Sequence, residues 1–310
     1  MWKALVSLVT LCALAVGVPA AAADLFQRNA SLWKSQTKEI EGREFKFLVD
    51  PAKVSSNQSE AFKEIWTQAK AVGAKQGVTL REREKNAFNI TPVVKTFFDT
   101  PDMTLWKKGY LIRTTTNYQR GYPASPLRVT VKAIAPSFKK ALAAKLRVVN
   151  AKSKVSAEEN IGLGKDGGLA GYVEKGVTFT AGRAELGAMN LAQFGAYVPE
   201  LLALGLPADT KLVAYPAFGF RCRPGFIDLP GLERPLAVSM ESWARRDNAA
   251  PFVYDFSFGY DGDYAALAQA HKAAEAFTLA LYNNLNSKIG FPDAGRWNGS
   301  KARLLLNQGF

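Results

Sequence analysis

The chain has little cysteine and histidine, and this scarcity excludes several kinds of site. Cys12 and Cys222 are the two cysteines among its 310 residues, and His271 is the single histidine. Because Cys12 lies in the N-terminal apolar run, a processed chain keeps one thiol and forms no intramolecular disulfide. One histidine excludes multi-histidine metal centres, and a Ser-His-Asp mechanism would depend on a residue in an alanine-rich helical stretch. A Gly-x-x-x-x-Gly-Lys-Ser/Thr phosphate loop is also absent from the sequence.

The N-terminus has the features of a secretory signal peptide. A short basic start that includes Lys3 precedes an apolar run that ends in four alanines at residues 20–23. This pattern predicts a signal peptide over residues 1–23 and a mature chain of residues 24–310, exported to the periplasm or secreted. The apolar run is near spanning length, so an uncleaved anchor is the alternative. After cleavage we expect no stable membrane span.

The chain is strongly basic. Its formal net charge is +13, and loss of Lys3 with the leader leaves +12. A protein with this charge prefers anionic partners such as phosphates, nucleic acid, anionic lipid or an envelope polymer. Nucleic acid is the least favoured of these, because the predicted strands lack the solvent-facing aromatic pairs on which bases stack.

Hydrophobic periodicity predicts an α+β fold. Alternation typical of β-strands recurs in eight or nine segments. Helical spacing marks three segments, at residues 55–73, 189–204 and 262–286. The basic stretch 136–161 is predicted to continue as a long or broken strand, and the glycine-rich segment 162–171 as a flexible loop. The sequence shows no repeat or clear linker, so we predict one domain over residues 24–310 with a sheet or barrel core at about 39–260.

The most informative segment runs from Thr96 to Arg113. Aromatic and β-branched residues precede an Asp-Thr-Pro-Asp turn at residues 99–102, and a second strand opens at Gly109. Pro101 ends the first strand, because its ring fixes φ and removes a backbone donor. The segment therefore predicts two strands joined by a tight turn, with Arg113 on the second.

Ionisable residues alternate with apolar ones along several predicted strands. Arg128, Thr130 and Lys132 share one strand face, and basic residues at this spacing are costly to bury unless an anion meets them. A solvated sheet face is the plainer explanation for any one strand. If the sheet closes into a barrel, these side chains share its lumen. The candidates are Glu44, Lys46, Arg113, Arg128, Lys132, Glu158 or Glu159, Arg221, Arg223, Glu241 and Asp255.

Several of these segments resemble a known family. Residues 98–102, Phe-Asp-Thr-Pro-Asp, are similar to the Tyr-Phe-Asp-Thr-Pro segment of the CYTH superfamily, the triphosphate tunnel metalloenzymes. Residues 128–132 resemble the next strand of that family, and residues 44–46, Glu-Phe-Lys, resemble the second half of its Glu-x-Glu-x-Lys signature. Residues 221–223 and the strand near Glu241 follow in the order of the closing strands.

The resemblance implies an eight-stranded antiparallel tunnel that binds triphosphate or polyphosphate with Mg²⁺ or Mn²⁺. Basic side chains clamp phosphate oxygens in such chemistry, and a carboxylate-held metal polarises the phosphoryl group. The implied phosphate ligands are Lys46, Arg113, Arg128, Lys132, Arg221 and Arg223. The implied metal ligands are Glu44, Glu158 or Glu159, and Asp255, and the implied catalytic residues are Glu44 and Glu241.

The sequence departs from the family pattern at four positions, one of which is Asp255, a shorter carboxylate in place of the first glutamate of the late Glu-x-Glu pair. The first glutamate of the signature falls at Gly42, the second arginine of an Arg-x-Arg pair at Thr115, and the last glutamate at Ser257. Carboxylates are lost more than cations, which favours an anion-binding tunnel without catalysis. Two alternatives stay open: a metal-dependent triphosphate or polyphosphate phosphohydrolase, and a non-catalytic barrel that serves as a scaffold for a protein partner.

Overall fold

The structure, a computed structural model, describes residues 26–27, 40–134, 138–262 and 266–309. The predicted signal peptide, residues 1–23, lies outside the described residues. Among the described helices, none combines the length and apolar character needed to cross a bilayer.

Strands account for most of the regular structure. The strands are β1 (Phe26–Gln27), β2 (Gly42–Val49), β3 (Thr79–Glu82), β4 (Ile90–Asp99), β5 (Tyr110–Gln119), β6 (Tyr122–Pro123), β7 (Leu127–Ala133), β8 (Ser153–Leu163), β9 (Leu169–Ala181), β10 (Val213–Cys222), β11 (Gly225–Asp228), β12 (Leu236–Ala237), β13 (Ser239–Ala244) and β14 (Val253–Asp261). The helices are α1 (Gln58–Lys75), α2 (Thr104–Lys107), α3 (Phe138–Ala143), α4 (Leu191–Gly195), α5 (Ala268–Leu285), α6 (Ala294–Trp297) and α7 (Lys301–Leu306). Short 3-10 turns lie at Pro51–Lys53, Ala184–Leu186 and Pro199–Leu204.

Nine of the described strands close into a barrel. Their order around the ring is β9-β7-β5-β4-β10-β13-β14-β2-β8, and β8 pairs with β9 to complete it. Neighbours run antiparallel except β2 and β8, which are parallel. The predicted α+β tunnel barrel is confirmed, with one strand more than expected. Because β2 and β8 lie far apart in sequence, no hairpin forces them to run antiparallel.

The period-two alternation of the strands separates a charged lumen from an apolar outer face. Along β2, Glu44 and Lys46 line the lumen, whereas Phe45 and Phe47 point outward and are fully buried. The outward phenylalanines pack beneath α1 and α5, which cover this side of the barrel. Burial of each such ring contributes roughly 2–3 kcal/mol. The helices therefore stabilise the barrel from outside and leave its interior to polar groups.

Two of the predicted helices are confirmed, although their ends differ. The segment predicted at 55–73 forms α1, which begins after Asn57, whose side chain accepts hydrogen bonds from the backbone of Ser59 and Glu60. The segment predicted at 262–286 contains α5.

The prediction of one helix over residues 189–204 is wrong in extent. Only α4, five residues long, is α-helical, and a 3-10 turn follows at Pro199–Leu204. Pro199 cannot donate the backbone hydrogen bond that would continue α4, so the helix does not propagate through it.

The predictions for residues 136–171 need two corrections. The stretch 136–161 is not a continuous strand, because it contains α3 and an irregular segment before β8 begins at Ser153. The segment 162–171 is not a free loop, since Gly162 pairs with Ala170 and Leu163 with Leu169 in the hairpin of β8 and β9. A Cβ at Gly162 would lie 2.6 Å from the backbone of Asn298, so glycine allows the C-terminal segment to pack there.

The C-terminal segment closes one end of the barrel. Leu304, Leu305 and Leu306 of α7 are buried in a cluster with apolar residues at the ends of β4, β5 and β13, among them Phe97 and Trp243. At the opposite end of the barrel, Arg128 near the start of β7 and Lys154 near the start of β8 are exposed. The lumen therefore has a capped end and an open mouth.

The Asp-Thr-Pro-Asp turn has a structural role at the capped end. The Asp99 carboxylate accepts hydrogen bonds from the backbone N–H groups of Thr100, Leu105 and Trp106, at 2.7, 2.8 and 2.8 Å. Asp102 is exposed and bonds the hydroxyls of Thr100 and Thr104. Asp99 thus fixes α2, which places Leu105 and Trp106 in the core.

Asp99→Ala should lower the free energy of unfolding by about 3 kcal/mol, because it leaves three buried backbone donors without an acceptor. Asp102→Ala, the matched control, should cost about 1 kcal/mol or less, because water replaces its partners. Urea unfolding of both variants measures the difference. Equal costs would show that Asp99 does not organise the turn.

Candidate functional site

The barrel encloses a cavity of about 620 Å³. In the part of the chain that the structure describes, eight basic side chains and four glutamates line it. The basic residues are Lys46, Lys95, Arg113, Arg128, Lys132, Lys152, Lys154 and Lys301, and the glutamates are Glu44, Glu158, Glu174 and Glu241. An excess of four positive charges in a confined space is costly unless anions enter it.

A first network of ion pairs surrounds Glu241 near the capped end. Lys95 Nζ lies 2.6 Å from Glu241 Oε2, and Arg221 NH2 lies 2.9 Å from Oε1. Lys301 Nζ lies 3.5 Å from Oε2 and directly contacts the Asp255 carboxylate. Burial raises the pKa of Asp255. Burial also opposes ionisation of Glu241, yet the ammonium groups of Lys95 and Lys301 hold its pKa well below the usual range.

A second network joins β2, β7, β8 and β9. Lys132 Nζ directly contacts Glu174 and lies 3.8 Å from Glu158 Oε2. Lys46 Nζ lies 3.0 Å from Glu44 and donates to Asn160 Oδ1 at 2.6 Å. Burial disfavours charged lysines here, but these carboxylates raise the pKa of both Lys46 and Lys132. The lysines of this network are therefore already matched by carboxylates.

The remaining cations line one side of the tunnel without an acidic partner. Among the described residues, no carboxylate forms an ion pair with the lumen residues Arg113, Arg128, Lys152 and Lys154, which we call the basic wall. Arg113 Nε is buried without a hydrogen-bond acceptor, and burial lowers the pKa of this guanidinium. An unpartnered buried donor is costly, so an anion near Arg113 would be stabilised, whereas Arg128, Lys152 and Lys154 are exposed to solvent.

Threonine hydroxyls lie between the cations of the basic wall. Thr130 and Thr178 are hydrogen-bonded at 3.3 Å, and Thr180 lies one step nearer the mouth on β9. Strands β5, β7, β9 and β8 follow one another around the ring, so these donors form a continuous surface. Hydroxyls and guanidinium groups together are suited to oxyanions.

The lumen brings together most of the site residues that the sequence predicts. Glu44, Lys46, Arg113, Arg128, Lys132, Glu158 and Glu241 line it. Arg221, on β10, forms an ion pair with Glu241. Asp255 is buried beside the lumen and contacts Lys301. Thr115, at the position of the missing arginine, is in register with Lys95 and Arg128, which place cations on both sides of it.

Two predicted residues lie outside the lumen. Glu159 is fully buried but does not line the cavity, because Glu158 faces the lumen and adjacent strand residues point to opposite faces. Arg223 is exposed and lies beyond β10, which ends at Cys222. The structure therefore places Glu158 at the lumen and leaves Glu159 and Arg223 outside it.

The lumen carboxylates do not form a ligand set suited to a divalent metal. The described residues contain no group of three histidine, cysteine, aspartate or glutamate side chains placed to hold one. Of the predicted ligands, Glu44 pairs with Lys46 and Asp255 with Lys301, and Glu158 lies nearest Lys132. Mg²⁺ requires several oxygen ligands in near-octahedral geometry, which this arrangement does not supply.

Several lumen residues are not among those that the sequence predicts. They are Lys95, Lys152, Lys154, Tyr172, Glu174 and Lys301. The alternation of Tyr172, Glu174, Gly176 and Thr178 along β9 could have revealed Glu174, and Lys95 shares the face of Phe97 on β4. Lys301 lies on α7, so no strand alternation marks it. Its ammonium reaches the lumen only because α7 packs against the end of the barrel.

Lys132→Met should lower the free energy of unfolding by about 3 kcal/mol, because it leaves Glu174 buried without its main cation. The double variant Lys132→Met/Glu174→Gln should recover most of that loss. Chemical denaturation of the two single variants and the double variant measures the coupling. Additive losses would show that the two side chains do not stabilise one another.

Comparisons with known proteins give the following matches. No protein-family model and no curated protein matches the chain. Similar solved structures include HpAC1 from Hippeastrum, a proposed adenylyl cyclase with a dominant triphosphatase activity (11% identity, TM-score 0.43, 87% of this chain and 97% of that one). Two others are proposed adenylate cyclases, from Bacillus halodurans (14%, TM-score 0.36, 78% and 91%) and Vibrio parahaemolyticus (10%, TM-score 0.35, 86% and 98%).

TM-scores this low carry no argument about function. The closed barrel and its charged lumen are nevertheless the architecture that the sequence resemblance implies. The chain therefore has a closed tunnel barrel with a charged lumen, as the resemblance predicts.

Proposed function

We propose that the tunnel binds a phosphate-rich or similar polyanionic ligand at the basic wall and does not turn it over. The observation that carries this proposal is the set of lumen cations that no described carboxylate pairs, including the buried Arg113. A bound anion would supply the ion pairs that these cations lack among the described residues. The predicted export of the protein would bring the tunnel to anionic ligands of the cell envelope.

The dimensions and donors of the lumen favour a short oligoanion. A cavity of about 620 Å³ is of the size that holds small molecules. Guanidinium groups bind phosphate oxygens in a bidentate manner, and the threonine hydroxyls add neutral donors. Affinity should therefore rise from phosphate to pyrophosphate to tripolyphosphate.

The burial and ion pairing of the acidic residues favour binding over catalysis. Glu241 and Glu174 are buried and held by lysines, so neither is available to a substrate water. A metal-dependent phosphohydrolase is the second candidate. It is supported by Glu44 and Glu158, whose side chains are 41% and 39% exposed within the lumen.

Isothermal titration of the mature protein with tripolyphosphate in EDTA, alongside phosphate-release assays with Mg²⁺ or Mn²⁺, tests these functions. Binding in EDTA without release in either metal is the expected result. Metal-dependent release that is lost in Glu44→Gln would establish the phosphohydrolase. Absence of both responses would favour the scaffold alternative.

Arg128→Glu should weaken tripolyphosphate binding at least tenfold, because it places a negative charge on the basic wall. Arg223→Glu, the matched control, should change affinity less than twofold, because Arg223 lies outside the lumen. Titration of both variants at low and high salt measures the contrast, which salt should reduce. Equal effects of the two reversals would count against binding in the tunnel.

Binding should also be linked to protonation of Lys95. Burial lowers the pKa of Lys95 to about 8, although the Glu241 carboxylate acts in the opposite direction. A bound polyanion favours the ammonium form and raises this pKa. Affinity should therefore fall as the pH rises above about 8, and binding at pH 8.5 should take up protons.

Calorimetry at pH 8.5 in buffers with different ionisation enthalpies measures this proton uptake. The uptake should disappear in Lys95→Met and persist in Arg223→Glu. If the heat of binding does not depend on the buffer, Lys95 does not sense the ligand.

A further inference from the structure

Two carboxylates lie side by side in the deep part of the tunnel. Glu241 and Asp255 are in register on β13 and β14, and their side chains are 6% and 2% exposed. Asp255 Oδ1 accepts a hydrogen bond from the backbone N–H of Glu241 at 2.8 Å. Two buried carboxylates in neighbouring positions repel each other and require compensating positive charge.

Two ammonium groups and the guanidinium of Arg221, 2.9 Å from Glu241 Oε1, supply that charge. Lys301 Nζ directly contacts the Asp255 carboxylate and lies 3.5 Å from Glu241 Oε2, so it bridges the pair. Lys95 Nζ lies 2.6 Å from the same Glu241 oxygen. Both ammonium groups also lie 5.2 Å from the centroid of the Trp243 ring, which favours cations at its face.

The backbone conformation at Gly299 and Ser300 places the Lys301 side chain in the lumen. Gly299 has φ of 72°, and a Cβ there would lie 2.5 Å from Lys46 Cβ, so only glycine passes this point without strain. Ser300 then accepts a hydrogen bond from the backbone of Arg303 at 3.3 Å and starts α7. Lys301 follows directly, with its ammonium inside the lumen.

We propose that Lys301 takes the place of a divalent cation as the bridging counter-ion of Glu241 and Asp255. A lysine ammonium is a compact point charge that can neutralise a carboxylate pair without a metal. The lumen is thereby kept independent of metal supply. This proposal concerns how the carboxylates are neutralised, and it does not depend on whether the tunnel binds phosphate.

Removal of the Lys301 ammonium should convert the pair into a divalent-cation site. Lys301→Ala leaves two adjacent carboxylates and space for a hydrated ion, and carboxylate and water oxygens are the ligands that Mn²⁺ and Mg²⁺ prefer. Lys301→Ser, which leaves the same space open, is the second variant. Lys288→Ala, at an exposed lysine, is the matched control.

Electron paramagnetic resonance titration with Mn²⁺ on the full-length processed protein tests this proposal. Lys301→Ala and Lys301→Ser should bind Mn²⁺ at least tenfold more tightly than the wild type and Lys288→Ala. The gain should vanish when Glu241→Gln and Asp255→Asn are added. Circular dichroism melting of each variant establishes that it is folded.

Two results would overturn the proposal. One is a folded Lys301 variant that binds Mn²⁺ no better than the wild type. The other is tight Mn²⁺ binding by the wild type that Glu241→Gln abolishes, and this test remains valid even if neither Lys301 variant folds. Failure of tripolyphosphate to bind would contradict the proposed function alone, since Mn²⁺ is titrated without any anionic ligand.

Discussion

The closed ring of strands is the constraint on which the rest of the structure depends. Once β8 pairs with β9, every second side chain of nine described strands faces a shared interior. Phenylalanines of β2 and β14 then pack outward under helices, whereas Glu44 and Lys46 point inward. Charged residues that would be solvated on an open sheet must be balanced within the lumen, and this requirement determines the contacts of the site.

The pairing of basic and acidic side chains differs along the length of the tunnel. Near the cap, lysines and carboxylates pair closely, as in the contacts of Glu241 with Lys95 and of Glu174 with Lys132. Toward the mouth, the basic wall has no such partners among the described residues. The deep part is therefore closely ion-paired, and under the proposed function an anionic ligand pairs with the cations at the mouth.

The positions at which the sequence departs from the CYTH signature agree with this difference between the deep part of the tunnel and its mouth. Ser257, where the signature has a glutamate, donates its hydroxyl to the Ser239 carbonyl at 3.1 Å, so that position needs no cation. Thr115 replaces an arginine between Lys95 and Arg128, which keep the local charge positive. A lumen with fewer carboxylates and a lysine from the C-terminal segment is consistent with anion binding that needs no metal.

Most strands, two long helices and the side of each strand on which charge falls follow from local sequence patterns, because period-two alternation is a property of the extended backbone. These patterns identified seven lumen residues, from Glu44 to Glu241, and the turn at Asp99. Only the tertiary structure decided the ring closure, the parallel β2–β8 pair and the choice of Glu158 over Glu159, since register depends on contacts between distant segments. Lys301 likewise reaches Asp255 only because α7 packs into the barrel end, a contact that no local pattern encodes.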